Sequence, residues 1–197
     1  MPFHPAAVAV LALFAAAPTL AAPLTIDFED APSFASIADH YAAQGVSFGG
    51  GALGLQNDDL GPYFSNAPSP IGVMFTVDTD SAMNVAQGFS GLFAFSYAST
   101  AAASGAVSIW SGLNGTGDLL ASFDLLGNSA GCTSPGWCSF DALSGSLSRV
   151  AYSMTFGGDP TIAFDNIALN TVPEPASLLL VSLGLAGLTA QARRRRK

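Results

Sequence analysis

A two-residue alternation of side chains constrains this sequence more than any other feature. Between residues 149 and 156 one set of positions is apolar and the other is small or polar; the sets are Val150, Tyr152, Met154 and Phe156, and Ala151, Ser153 and Thr155. Successive side chains of a β-strand point to opposite faces, so this period predicts a strand. We expect the first set to face a core and the second set to face solvent.

The same period recurs along the chain between clusters of turn-forming residues. It occurs near residues 24–29, 73–77, 92–98, 107–110, 119–125 and 162–169, and no long stretch has a helical period. Residues 49–70 are rich in Gly, Asn, Asp and Pro and are expected to form a long irregular loop. Eight or nine short strands predict an all-β fold, an antiparallel β-sandwich of the jelly-roll type.

The apolar positions change parity within the last predicted strand. Ile162 and Phe164 share one parity, whereas Ile167 and Leu169 share the other. One extra residue between these pairs would keep all four side chains on the core face. The pattern therefore predicts a β-bulge at Asp165, a kind of irregularity that is common beside functional sites.

The two cysteines, Cys132 and Cys138, lie six positions apart in the segment CTSPGWC. A zinc site needs two more soft ligands, which the chain lacks, whereas an oxidising compartment favours a disulfide. We expect a local disulfide that stabilises the fold by about 2 kcal/mol.

Residues 1–22 have the pattern of a secretory signal peptide. An apolar run at residues 6–17 is followed by the small residues Ala21 and Ala22. The peptide would direct export and be removed by cleavage after either alanine, so the folded domain is expected to span residues 23–170.

The end of the chain, residues 171–197, has three parts in a fixed order. The triplet Pro173, Glu174 and Pro175 comes first, an uncharged apolar run at residues 176–190 follows, and five basic residues end the chain. The run would form a helix of about 22 Å, short of the hydrocarbon core of roughly 30 Å. The basic block is expected to stay on the cytoplasmic side.

This tail resembles a PEP-CTERM sorting signal, which comprises a PEP motif, a transmembrane helix and a basic tail. The resemblance implies that the chain is an exosortase substrate in a Gram-negative bacterium, cut near Pro173 to Pro175. The inner-membrane anchor would then be transient and the product would go to the cell surface or extracellular matrix. The alternative is an ordinary anchor with a single permanent span.

A second resemblance covers residues 24–170. The DFED segment, the WSGLNGTGDLLASFDL hairpin and the closing FDNIAL are similar to exported domains that precede PEP-CTERM tags. Those domains resemble galactose-binding-like jelly rolls, a fold that many carbohydrate-binding modules use. The resemblance implies an architecture rather than an activity.

The exported part is strongly acidic. Thirteen acidic residues precede Glu174 and Arg149 is the only basic residue before the terminal block, so the net charge of this part is near −12. Such a surface repels phosphate, which argues against nucleic acid as a partner. It suits divalent cations or neutral glycans, or it serves solubility alone.

Two carboxylates are candidate calcium ligands. Glu29 ends the first predicted strand and Asp165 lies at the predicted bulge of the last, and the first and last strands of a jelly roll lie close together. Calcium binds oxygen ligands of this kind. The alternative is that both are solvated charges that protect sheet edges from pairing.

Three aromatic residues are candidates for binding extracellular polysaccharide, because sugar rings stack on exposed flat side chains. Trp110, Trp137 and Tyr63 lie in or beside predicted turns. The alternative is that the tryptophans are packed structural residues. An exposed aromatic pair on a concave face would favour glycan binding over a purely structural matrix or adhesion role.

Catalytic residues are scarce, and we expect no enzyme activity. His40 is the single histidine of the exported part; Asp39 or Asp58 are its candidate partners in a triad, and the segment lacks a GxSxG elbow. A secreted glycoside hydrolase that uses two carboxylates stays an alternative.

Overall fold

The computed structural model describes residues 22–58, 61–78, 81–157 and 159–172, together with Gly184. Nine strands occur in this part: β1 (Ala22–Ile26), β2 (Val46–Phe48), β3 (Ala52–Gln56), β4 (Gly72–Thr76), β5 (Ala82–Ser99), β6 (Ala103–Trp110), β7 (Leu119–Leu125), β8 (Asp141–Phe156) and β9 (Ile162–Thr171). Every paired strand is antiparallel to its neighbour. The prediction of an all-β antiparallel fold is confirmed for the described residues.

One compact unit comprises Ala21–Pro173. A second unit comprises residues 1–20 and 174–197, which lie outside the described part of the chain apart from Gly184. The predicted signal peptide and the predicted transmembrane sorting helix fall on these residues.

The strands follow the order β3-β4-β9-β5-β8-β6-β7, with β1 beside β9 and β2 beside β5. One edge of β9 is shared by two strands, because β4 pairs with Ala163 and Phe164 whereas β1 pairs with the stretch from Ile167 to Thr171. The other edge of β9 pairs with β5. The first and last strands are therefore neighbours, as the sequence predicts.

The long strands β5 and β8 link the two ends of one nine-stranded sheet. The start of β5 pairs with β2 on one side and with the end of β8 on the other, and the end of β8 also pairs with β6. The end of β5 pairs with β9 and with the start of β8. Register shifts near Phe89 separate the two halves of β5. Gly88 and Gly91 adopt positive φ there, a conformation that glycine reaches without strain. Such bulges bend a strand and increase its local twist.

Phenylalanine rings pack against one another in the main hydrophobic core. Phe156 of β8 lies 4.7 Å from Phe164 of β9, and Phe93 of β5 lies 5.5 Å from Phe123 of β7, measured between ring centroids. Tilted and edge-on ring pairs of this kind add to the stabilisation that comes from burying apolar surface. The core thus depends on aromatic contacts between residues on different strands.

The strict alternation predicted for β8 is wrong near its middle. Met154 and Phe156 face the core as expected, but Val150 is exposed and Ala151 is buried. Ala151 pairs with Phe89 beside the bulge of β5, which changes the register of both strands. Ser153 is also buried, because the turn after β6 covers it and the Gly115 N–H donates to its hydroxyl.

The expected loop at residues 49–70 contains strand β3. One edge of β3 pairs with β4, and the other edge bonds to the segment around Phe34, whose N–H donates to the Gly54 carbonyl at 2.8 Å. A Cβ atom at Gly54 would lie 2.6 Å from the Pro32 carbonyl oxygen. The glycine therefore marks a close approach of two backbone segments rather than a loop.

The predicted disulfide between Cys132 and Cys138 is confirmed. Within its loop, Trp137 packs against Phe75 of β4 and its indole N–H donates to the Thr161 carbonyl at 2.9 Å. The backbone carbonyl of Trp137 also accepts a hydrogen bond from Ser65. The disulfide loop thus covers part of the outer face of β4.

Replacing both cysteines by serine should lower the free energy of unfolding by about 2 kcal/mol, since the short loop loses its cross-link in the unfolded state. Urea unfolding of the oxidised wild type and the double variant measures this difference. Wild type treated with reductant serves as the control and should match the variant. Equal midpoints for all three samples would contradict the prediction.

Candidate functional site

The sorting signal begins where the sheet ends. Thr171, the last residue of β9, pairs with Ala22 of β1 on one side and with Phe89 of β5 on the other. The next N–H, that of Val172, donates to the Gly88 carbonyl at 3.0 Å. The predicted processing residues Pro173, Glu174 and Pro175 lie immediately beyond, outside the described residues. Among the residues that the structure describes, no helix has the length and apolar character to cross a membrane.

The predicted bulge in β9 is confirmed. Ala94 and Ser96 of β5, two positions apart, pair with Ala168 and Asp165, three positions apart. Asn166, within this step, has a φ of +48°. The bulge lets the apolar residues on either side of it face the core, all of them buried.

Asp165 is completely buried, with 0% of its surface exposed. Its Oδ2 accepts a hydrogen bond from the Ser69 N–H at 2.8 Å, and its Oδ1 accepts bonds from the Ser69 hydroxyl at 2.6 Å and the Asn166 N–H at 2.7 Å. Burial raises the pKa of Asp165, while these three donors act in the opposite direction. The carboxylate therefore fastens the loop at Ser69 to the bulge of β9.

Glu29 holds the same loop a few residues further on. Its Oε1 accepts hydrogen bonds from the N–H groups of Ile71 at 2.8 Å and Gly72 at 3.0 Å. The two predicted calcium ligands thus bind the same loop, Asp165 at Ser69 and Glu29 at Ile71 and Gly72. Both carboxylates already accept hydrogen bonds from protein donors. No group of three His, Cys, Asp or Glu side chains suited to a metal ion occurs among the described residues. Calcium binding stays a prediction.

Two of the three candidate aromatic residues share one cluster. Tyr63 and Trp137 are half-buried and pack, with Phe75, against an apolar cluster on the outer face of β3, β4 and β9. Trp110 lies elsewhere, at the end of β6, where its indole N–H donates to the Thr155 hydroxyl at 3.0 Å. The structure therefore brings Tyr63 and Trp137 into one cluster and leaves Trp110 outside it.

Among the residues that the structure describes, the most exposed aromatic side chain is Phe34, which the sequence does not single out. It is 57% exposed, and its ring stands nearly perpendicular to that of Tyr63 at a centroid distance of 5.1 Å. Its φ is +53°, a conformation that costs a bulky residue about 1–3 kcal/mol. Only the sequence Ala-Pro-Ser-Phe, a turn followed by an isolated aromatic residue, could have indicated an exposed ring here.

The position of Tyr63 is fixed by its neighbours. The Asn57 side-chain oxygen accepts hydrogen bonds from the N–H groups of Tyr63 at 2.8 Å and Phe64 at 3.2 Å. Desolvation, followed by the charge and the hydrogen bond of Asp58, raises the pKa of Tyr63. Phe34, Tyr63 and Asp58, which we call the aromatic patch, therefore combine flat apolar rings with a carboxylate.

A groove of about 510 Å³ opens elsewhere, between the segment that leads into β2 and the turn after β6. Its polar lining comprises Asp39, Ser47, Asn84 and Asn114. Asn84 and Asn114 exchange two hydrogen bonds of 2.7 Å each, which hold the turn over the sheet. Neither this groove nor a second groove of about 340 Å³ beside β1 is lined by any residue of the aromatic patch.

His40, for which Asp39 and Asp58 are the candidate triad partners in the sequence, contacts a different carboxylate. His40 Nε2 lies 3.3 Å from the Asp30 Oδ2, and the Tyr41 hydroxyl donates to the Asp30 Oδ1 at 2.9 Å. The hydrogen bond from Tyr41 is the main cause that lowers the pKa of Asp30. These contacts hold the short 3₁₀ turn at Ala42–Gln44 against the end of β1.

Solved structures to which the chain shows a distant similarity include three that contain carbohydrate-binding modules. The module CBM6cm-2 from Cellvibrio mixtus lichenase 5A, in complex with cellotriose, is 11% identical with a TM-score of 0.37, covering 79% of this chain and 100% of that one. The tandem CBM22-1-CBM22-2 from Paenibacillus barcinonensis Xyn10C is 13% identical with a TM-score of 0.42, covering 81% and 48%. The CBM22-1 xylan-binding domain of that enzyme is 13% identical with a TM-score of 0.39, covering 80% and 100%. Similarity at this level carries no argument about a ligand or an activity.

No curated protein matches the sequence. A protein family described as "PEP-CTERM protein-sorting motif" matches residues 171–196. The match begins at the last residue of β9 and includes the triplet Pro173, Glu174 and Pro175. The chain therefore carries a PEP-CTERM protein-sorting motif, which indicates an exported protein that has an exosortase as its processing partner and a transient membrane anchor.

Proposed function

We propose that this protein is an exosortase-processed component of the cell surface or extracellular matrix of a Gram-negative bacterium. The observation that carries the proposal is the direct junction between the folded domain and the sorting motif, which meet at Thr171. Because no linker separates them, the β-domain is the cargo that the motif delivers. We assign this domain, residues 23–170, to the galactose-binding-like jelly rolls on the basis of its antiparallel sheet, its bulged strands and the pairing of its first strand with its last.

The delivered domain is proposed to act by binding rather than by catalysis. His40 and Tyr41 both contact Asp30, an arrangement that fastens a turn to the end of β1. Asp165 and Glu29 are held by backbone and hydroxyl donors of one loop. These acidic residues are thus accounted for by structural contacts, which disfavours the alternative of a glycoside hydrolase that uses them.

Extracellular polysaccharide is the proposed ligand, and the aromatic patch is the proposed binding surface. Phe34 presents a flat ring to solvent, and the positive φ that places it there is a strain of the kind found at functional positions. Hydrogen bonds from the Phe34 N–H to Gly54 and from the Tyr63 N–H to Asn57 hold the two residues in place. A preorganised surface loses little conformational entropy when it binds.

The charge of the domain defines the class of polysaccharide. A net charge near −12 in the exported part repels anionic polymers, so a neutral glycan is the better partner. The Asp58 carboxylate beside Tyr63 is an acceptor for the hydroxyl groups of such a glycan. The patch lies outside both grooves, which matches an open surface for a polymer rather than a pocket for a small molecule.

Calcium binding at Glu29 and Asp165 is a separate proposal. The two side chains hold one loop between the first and last strands, where a divalent cation would offset their like charges. An ion there would share the carboxylate oxygens with the donors of Ser69 and Ile71. Its contribution is therefore expected to be small.

The intact mass of the protein isolated from its native host tests the sorting proposal. We expect a species without residues 1–21 or 1–22 and without the terminal basic block, since both signals are removed during export. A strain that lacks the exosortase should retain the full tail in its membrane fraction. A wild-type protein with its complete tail at the cell surface would contradict the proposal.

Substitution of Phe34 tests the polysaccharide proposal. Phe34→Ala should weaken binding to the exopolysaccharide of the host at least about fivefold, because loss of a central aromatic contact typically costs more than about 1 kcal/mol. Phe34→Tyr keeps a flat ring and should retain binding. Leu126→Ala, at a residue that is 71% exposed and outside the patch, is the matched control. Affinity electrophoresis compares the four proteins, and equal mobility shifts would favour a structural component without a ligand.

Thermal unfolding of the mature protein tests the calcium proposal. A site with an affinity of about 10⁻⁴ to 10⁻³ M adds about 1 kcal/mol at millimolar calcium, which raises Tm by a few degrees. The Asp165→Ala variant should melt at the same temperature in calcium and in chelator. If wild type also melts identically in both, the carboxylates serve the loop alone.

A further inference from the structure

We propose that the folded edge at the end of β9 withholds every residue up to Val172 from the exosortase, so that folding of the domain slows its own processing. This inference rests on the proposed function, because it concerns how the processing enzyme reaches its substrate. It adds a constraint that the sorting motif alone does not contain. The motif begins at residue 171, but its first residue is the last of β9 and its second donates a backbone hydrogen bond to Gly88 of β5.

The end of β9 has neighbours on both sides. Thr171 lies opposite Ala22 of β1 and opposite Phe89 of β5, so neither of its backbone edges is a free strand edge. Proteins that bind an extended peptide by strand addition need such a free edge. An enzyme that binds its substrate in this way cannot use Thr171 while the sheet is intact.

The last hydrogen bond of this edge has a rigid acceptor. Val172 donates to the carbonyl of Gly88, which lies at the bulge of β5 with a φ of +75°. A Cβ atom at Gly88 would lie 2.7 Å from the Val150 Cγ1 and 3.0 Å from the Ala151 carbonyl oxygen. Since Gly88 is tightly enclosed by β8, Val172 must leave its acceptor before the enzyme can bind it.

The residues just beyond the edge offer few backbone donors. Pro173 and Pro175 have no N–H group, so Glu174 supplies the single backbone donor of the triplet. An enzyme that recognises the segment before the cut must therefore use side chains and one N–H, or wait for the end of β9 to open. The second route makes the rate of processing depend on the stability of the sheet edge.

A flexible insertion separates this steric effect from recognition of the motif. Four residues, Gly-Ser-Gly-Ser, inserted between Val172 and Pro173 lengthen the chain between the sheet and the triplet. The sequences of the sheet and of the triplet stay unchanged. The same insertion between Thr133 and Ser134, two exposed residues of the disulfide loop, is the matched control. Pulse-chase labelling of the full-length chain in its exporting host, followed by mass spectrometry, gives the rate at which the tail is lost.

The linker variant is expected to lose its tail about fivefold faster than wild type, the factor that corresponds to one net hydrogen bond of about 1 kcal/mol. The control insertion should match wild type. Equal or slower processing of the linker variant would overturn the inference, while loss of the tail from all three proteins would leave the proposed sorting intact. Retention of the tail by wild type would refute the proposed function, and the inference with it.

Discussion

The hydrogen bonds that Asp165 accepts from Ser69 hold together the part of the structure on which the other parts depend. The bulge that carries Asp165 divides β9 into a half that pairs with β4 and a half that pairs with β1. Three donors bond to the buried carboxyl group, so its burial leaves neither oxygen without a hydrogen bond. The same contact closes the loop between the first strands and the last. Glu29 bonds to the same loop through Ile71 and Gly72 and so adds to this contact.

The sequence predicts those features that depend on local pattern. The change of parity between Phe164 and Ile167 locates the bulge, and the spacing of Cys132 and Cys138 identifies the disulfide. Both follow from short-range geometry, the two-residue period of a strand and the reach of a short loop. The sequence does not predict strand β3, because no residue near Gly54 in the sequence explains why a glycine is needed there. The Pro32 carbonyl that approaches Gly54 comes from a distant segment. The break in alternation at Ala151 likewise depends on a bulge in another strand.

The candidate site likewise combines features that the sequence predicts with features that depend on tertiary contacts. The sequence indicates Tyr63 and Trp137 as candidate binding residues because they lie in or beside predicted turns. In the structure both pack against one apolar cluster. The exposed partner is Phe34, whose neighbour Tyr63 lies far along the chain. Nothing near Phe34 in the sequence indicates this contact, because the positive φ that turns its ring outward comes from pairing with β3. Aromatic residues can be counted from a sequence, whereas their exposure depends on tertiary contacts.

The position of β9 also determines how the domain responds to mechanical load. A force applied to the C-terminal end of the domain enters the sheet along β9, which has strands on both sides: β1 and β4 on one, β5 on the other. A strand at the edge of a sheet peels off one hydrogen bond at a time, but a strand between two neighbours must break bonds on both sides. The N-terminal strand β1 lies against the loaded strand and reinforces it. A domain tethered by this end is therefore held by a strand that has neighbours along both edges.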